Sequence, residues 1–123
     1  MVIRPATRTD VIKLCGDSYP EGMRALVVES DGDPVGIAGI LHTMPRQCFS
    51  VMDDAIRSSP RAIVRCAKQL RPMLDSYNTP IYAIASEDEP TAVHFLEYVG
   101  FEYHDTTVQG EVYQWRRQQQ LSP

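Results

Sequence analysis

The run "RSSPRAIVRCAKQLRPML", Arg57 to Leu74, decides how the rest of the chain must be arranged. Ser59 has the side chain of a helix N-cap, and Pro60 suits the first helical position, where a missing N–H costs nothing. Ala62, Ile63, Cys66, Ala67, Leu70, Met73 and Leu74 then recur at three- and four-residue spacing, so one face of the helix is apolar. Arg57, Arg61, Arg65, Lys68 and Arg71 form a basic stripe on the other face, and Pro72 is expected to kink or shorten the last turn.

The flanks of this helix are strands. "QCFSVM" precedes it, and after a turn "TPIYAIAS" is a nearly continuous apolar run, as in a buried parallel strand. A helix that leaves one such strand and returns to another crosses over a sheet. Further out, "RALVVES" and "PVGIAGILH" flank "DGD" as a hairpin, with Gly36 and Gly39 marking a bulge or a close backbone approach. "MVIRPAT" forms a first strand stopped by Pro5, followed by a helix capped at Thr9 or Asp10 and ended by Gly16. Pro90 opens a last helix, with Ala92, Val93, Leu96 and Val99 on one side and Gly100 as its stop. "FEYHDTTVQGEVYQW" supplies two closing strands around Gly110. The order β-α, hairpin, β-α-β-α, hairpin describes an α/β sandwich with a mixed sheet, one domain over residues 1–116 with a polar tail at 117–123.

Composition narrows the function classes. With 43% apolar residues the chain has enough material for one core. A net charge of -4 without a long basic run disfavours nucleic acid as the principal partner. Cys15, Cys48 and Cys66 lack C-x-x-C spacing and suit reduced thiols, which, with no apolar leader or span, places the expectation in the cytoplasm and away from membranes. His42, His94 and His104 are spaced too irregularly for a metal site.

The element order, "MVIRPATRTD" at the start and "TAVHFLEYVGFEYH" near the end resemble the GNAT superfamily of acyl-CoA-dependent N-acyltransferases, over nearly the whole chain. Ala92, Phe95, Gly100 and Phe101 match that family's last-helix pattern A-x-x-F-Y-x-x-x-G-F. The resemblance implies a mixed central sheet with helices on both faces. It implies acetyl-CoA between the fourth and fifth strands, with backbone groups of Phe49 and Val51 at the thioester. The pyrophosphate loop Q/R-x-x-G-x-G/A corresponds here to Arg57, Ser58, Ser59, Pro60, Arg61 and Ala62. The acceptor would be a small amine or a protein N-terminus.

Two positions depart from the family. Pro60 replaces the loop's central glycine and removes one amide donor from a phosphate cradle built on backbone N–H groups. Leu96 stands where many members carry the tyrosine that protonates the leaving thiolate, and Glu89 replaces an asparagine at the helix start. Tyr103, His104 and Asp53 are the remaining acid–base candidates. "QCFSVMDDAIRSS", "MLDSY" and "HFLEYVGFEYH" are also similar to the small GNAT-like internal virion proteins of short-tailed phages. That similarity implies a virion or assembly role beside phage structural proteins, in the host cytoplasm or the particle, with weak or lost acetyl-CoA chemistry. The alternating Tyr113 and Trp115 are candidates for a homodimer or virion contact.

Overall fold

The structure, a computed structural model, describes residues 1–16, 22–85 and 90–115. Seven strands form one sheet in the order β1-β2-β3-β4-β5-β7-β6. They are β1 (Val2–Pro5), β2 (Met23–Ser30), β3 (Asp33–Leu41), β4 (Arg46–Met52), β5 (Ile81–Ala85), β6 (Phe101–Thr107) and β7 (Gly110–Trp115). Every neighbouring pair is antiparallel except β4 and β5. The parallel step is the one bridged by α3 (Pro60–Asp75), as its apolar stripe predicts. Helices cover both faces. On one, α1 (Arg8–Cys15) lays Val11 and Leu14 over Val27, Ile37 and Phe49. On the other, α3 and α4 (Pro90–Val99) bury Leu70, Leu74, Phe95 and Val99 against Ile40, Ile81 and Phe101.

Local chemistry explains most boundaries. Asp31 and Gly32 both take positive φ (52° and 84°), the two-residue turn that matches strand twist, so the β2–β3 hairpin closes there. Ser59 caps α3, accepting the Ala62 N–H. α3 runs on past Pro72 to Asp75, so this proline does not end the helix. Its ring is exposed in the final turn, where only one helical hydrogen bond is forfeited. Tyr113 and Trp115 are 6% and 4% exposed. They are core, because β7 is an interior strand with β6 outside it; neither is a surface contact. The polar tail and Glu89 lie outside the described residues.

The cap of α1 is Thr7, not Thr9 or Asp10. Thr7 Oγ1 accepts the Asp10 N–H while the Asp10 carboxylate accepts the Thr7 N–H, a reciprocal capping box. Asp10 also accepts two bonds from the Arg4 guanidinium, at 2.6 and 2.9 Å, and Arg4 reaches Glu29 at 2.8 Å. β1, α1 and β2 are thus tied together at one point. The Arg4 bonds, with Thr7, hold the Asp10 carboxyl well below the ordinary carboxylate range despite opposing burial. A carboxyl whose pKa is lowered by folding stabilises the fold fully above its unfolded value, near 3.8. That contribution fades as pH falls toward the lowered value. The melting temperature is therefore expected to drop below about pH 4, and Asp10→Asn to flatten that part of the profile, as thermal melts from pH 6 to pH 2 will show.

Three side chains of the basic stripe, Arg57, Arg65 and Arg71, are engaged within the chain. Arg71 donates to the carbonyls of Val99 (2.9 Å) and Tyr98, and its guanidinium carbon lies 5.3 Å from the centre of the Tyr98 ring. It completes the C-terminus of α4, whose last carbonyls lack helical partners. Arg65 donates to the Met1 carbonyl, and Arg57 pairs with Asp54. Arg71→Ala is expected to cost about 1–2 kcal/mol and Arg71→Lys most of that, since a single ammonium cannot reproduce the fork. Urea denaturation of the two variants measures the difference.

Candidate functional site

β4 and β5 pair only through Arg46 with Ile81 and Gln47 with Tyr82. Beyond those residues Cys48–Met52 and Ala83–Ala85 have no ladder with each other, so the strands part and open a slot in mid-sheet. Ser50 is exposed on the α3 face although its strand is interior. Phe49 and Val51 flank the slot, with side chains turned into the α1-side core.

The predicted phosphate loop has a different form. Between β4 and α3 the chain makes a short helix, α2 (Asp54–Arg57), which the sequence reading did not anticipate. Asp53, a candidate base by sequence, is its N-cap, accepting the Ile56 N–H through Oδ1. Ile56 is fully buried and rests over Gly36, where a Cβ would meet Ile56 Cδ1 at 2.3 Å. The amides are then spent locally. The N–H of Arg57 donates to Asp53 O, that of Ser58 to Asp54 O at 3.1 Å, and that of Ser59 to Ile56 O at 2.9 Å. Pro60 has none, and the Ala62 N–H goes to Ser59 Oγ at 3.4 Å. The Ser58 hydroxyl donates to carbonyls of α2, and Ala62 is buried. Of Arg57 to Ala62, only the Arg61 amide has no acceptor among the described residues. A diphosphate needs several converging N–H groups. With its amides so engaged, the α2–α3 junction does not fit a diphosphate.

The acid–base candidates are dispersed. Tyr103 pairs with Tyr113, meets its ring edge-on at 6.0 Å and hydrogen-bonds Thr106, so it belongs to the α4 side. His104 lies on the opposite face, 5.4 Å from the Tyr82 ring. Its position follows from a bulge: Tyr103 opposes Tyr113 and Asp105 opposes Val112, leaving His104 as the extra residue. Asp53 caps α2, and Leu96, 7% exposed, is packed in the core and offers no hydroxyl. Burial pushes the Cys48 and Cys66 thiols up to about 12 and about 11, so both stay protonated as packing groups. No cluster of metal ligands occurs among the described residues. No helix there is long and apolar enough to cross a membrane.

On the α1 side of β5, β7 and β6 lies an open depression of about 580 Å³, bounded by the β3–β4 loop and the β6–β7 hairpin. Tyr82, Ile84 and Val112 form its floor, and His104 and Asp105 one wall. The bulge that frees His104 from pairing is what puts two consecutive side chains on this wall. Sequence reading singled out His104 but had no means of seeing the bulge.

No protein-family model and no curated protein matches the sequence. Solved structures do match. The ribosomal-protein-S18-alanine N-acetyltransferase of Escherichia coli superposes with a TM-score of 0.66 at 11% identity, over 94% of this chain and 93% of that one. Mutant forms of the spermidine/spermine N-acetyltransferase of Vibrio cholerae give 0.64 at 16% identity, over 92% and 91%. The protein smu.2055 of Streptococcus mutans gives 0.71 at 14% identity, over 96% and 100%. At these identities the likeness is one of architecture, and the seven-stranded sheet with its parted β4 and β5 is the fold of the GNAT N-acetyltransferases.

Proposed function

We propose that this is a phage-type GNAT-fold protein, an internal virion or assembly component in which acetyl-CoA chemistry is lost. One observation carries the loss of chemistry: α2 and the Ser59 cap occupy the amides that a diphosphate would use, and Pro60 removes another. Each missing amide–phosphate bond is worth about 1.5–3 kcal/mol, so forfeiting three takes a micromolar ligand beyond millimolar. Leu96 in the core and the separation of Tyr103 from His104 support the same reading. The virion role rests on the similarity of "QCFSVMDDAIRSS" and "HFLEYVGFEYH" to the internal proteins of short-tailed phages.

The parted β4 and β5 favour a second reading, an N-acyltransferase acting on a small amine or a protein N-terminus. A thermal melt with and without acetyl-CoA separates the two. A ligand at one hundred times its dissociation constant adds about 2.7 kcal/mol. No shift at millimolar acetyl-CoA, with the chain found by mass spectrometry in purified virions, is the expected result. A clear upward shift with acetyl transfer to an amine overturns it.

A further inference from the structure

The end of the sheet below the C-terminus of α3 gathers cationic side chains on one face. Arg24 in β2 stands opposite Ile40 in β3, and Ile40 opposite Cys48 in β4. Ile40 and Cys48 are packed under α3, so Arg24 lies on that face of the sheet. His42 and Arg46, two residues from Ile40 and Cys48 along their strands, fall on it too. The chain leaving α3 runs across all three. Arg24 donates to the Ser76 hydroxyl at 3.4 Å, and His42 Nε2 lies 2.7 Å from the Tyr77 hydroxyl. Arg46 donates to Thr79 Oγ1, with its guanidinium carbon 5.0 Å from the centre of the Tyr77 ring.

Both guanidiniums are held by neutral groups only. Among the described residues no carboxylate pairs with Arg24 or Arg46. Asp75, next to Ser76 in the chain, has its Oδ1 buried and bonded to neither. Arg46 Nε is buried without an acceptor, so this guanidinium lies on Tyr77 with a donor unspent and gives up little by turning to an anion. The carbonyls ending α3 are already engaged. Met73 O accepts the Ser76 N–H and hydroxyl, and Leu74 O accepts the Tyr77 N–H. Arg24, His42, Ser76 and Thr79 are exposed, which leaves the place open to a solute.

Charge makes the ligand an anion, and spacing selects its class. β2 and β4 are two strand spacings apart, about 10 Å, with β3 between them. The two guanidiniums are tethered to Ser76 and Thr79, on either side of Tyr77 in the chain. A small single anion meets one such fork. Two carboxylates on a short chain meet both, each held by two parallel N–H groups. We infer that this end of the sheet binds a small dicarboxylate, with one carboxylate on Arg24, the other on Arg46, and His42 and the Tyr77 hydroxyl between them. The site lies at the opposite end of α3 from its junction with α2, so the fate of acetyl-CoA chemistry does not bear on it.

The test is a chemical-shift titration at low salt with glutarate, and with butyrate and sulfate as single anions. Glutarate is expected to shift the signals of Arg24, His42, Arg46 and Tyr77 together, and to saturate at about one-tenth of the butyrate concentration. Arg24→Gln and Arg46→Gln should each weaken glutarate about tenfold while changing butyrate only about twofold, because either fork alone can hold a single carboxylate. Arg24 is exposed, so its substitution decides the matter even where Arg46→Gln, which strips the cover from Tyr77, fails to fold. Equal responses to glutarate and butyrate, or indifference of glutarate to Arg24→Gln, overturn the proposal. So do sulfate binding as tight as glutarate, which would make the site one for a single tetrahedral anion, and shifts centred on the exposed Arg61 and Lys68 of α3, which would make the effect general to surface cations.

Discussion

Gly39→Ala is expected to destabilise the fold by about 4 kcal/mol or more, at the severe end of what single substitutions do. Gly39 sits in β3 opposite Ala25 of β2, on the α1 face. A Cβ there would stand 2.3 Å from the Arg24 carbonyl oxygen and 2.6 Å from both Cα and Cβ of Ala25. Two of these atoms are main chain of an interior strand, held by pairing on both sides, so the clash is relieved only by pushing β2 and β3 apart. Gly36, in the same strand, provides the contrast. Its added Cβ would meet the end of the Ile56 side chain, which can rotate, and Gly36→Ala is expected to cost about 1–3 kcal/mol as ordinary overpacking. Urea unfolding of both variants checks the pair. Near-equal losses, or a Gly39→Ala variant within 1 kcal/mol of the parent, would show that β2 and β3 are less rigidly joined than their register indicates.

These two glycines also mark where sequence reading reaches and where it stops. Their place inside a strand pattern announces a close approach, because nothing else excuses a residue that packs nothing. What approaches cannot be read: a neighbouring strand in one case, α2 in the other. Local chemistry was legible throughout the Ser59–Pro60 helix start, the Asp31–Gly32 turn and the Gly100 stop, each set by residues within one turn of each other. The Thr7 cap is legible too, in T-x-x-D, although Thr9 and Asp10 stand nearer the first apolar residue and look equally like caps. α2 was hidden because its four residues are too few for a periodic signal, and Asp53 and Asp54 look like turn residues. The parting of β4 from β5 and the His104 bulge are matters of pairing between distant strands, so no window of sequence contains them.

The presence of α2 sets what it should take to make this junction bind a diphosphate. If Pro60 alone closed the cradle, Pro60→Gly would restore binding. It is expected not to. That substitution returns one N–H at the start of α3, while the Ser58 and Ser59 amides stay bonded to α2 and the Ala62 amide to the Ser59 side chain. Adding Asp53→Gly removes the side-chain cap of α2, and Ser59→Gly frees the Ala62 amide, at roughly a few tenths of a kcal/mol of stability for each lost cap. With Pro60→Gly in the same chain, three or more N–H groups can then converge on a diphosphate at the head of a sixteen-residue helix, each worth about 1.5–3 kcal/mol against an anion. The triple variant is therefore expected to melt lower than the parent without ligand and to recover by several degrees with millimolar acetyl-CoA, while the parent and Pro60→Gly do not respond. Recovery by Pro60→Gly alone would make the proline the whole obstacle and α2 incidental. The reason to expect otherwise is that Ile56, wholly buried over Gly36, anchors α2 whether or not residue 60 has a hydrogen to give.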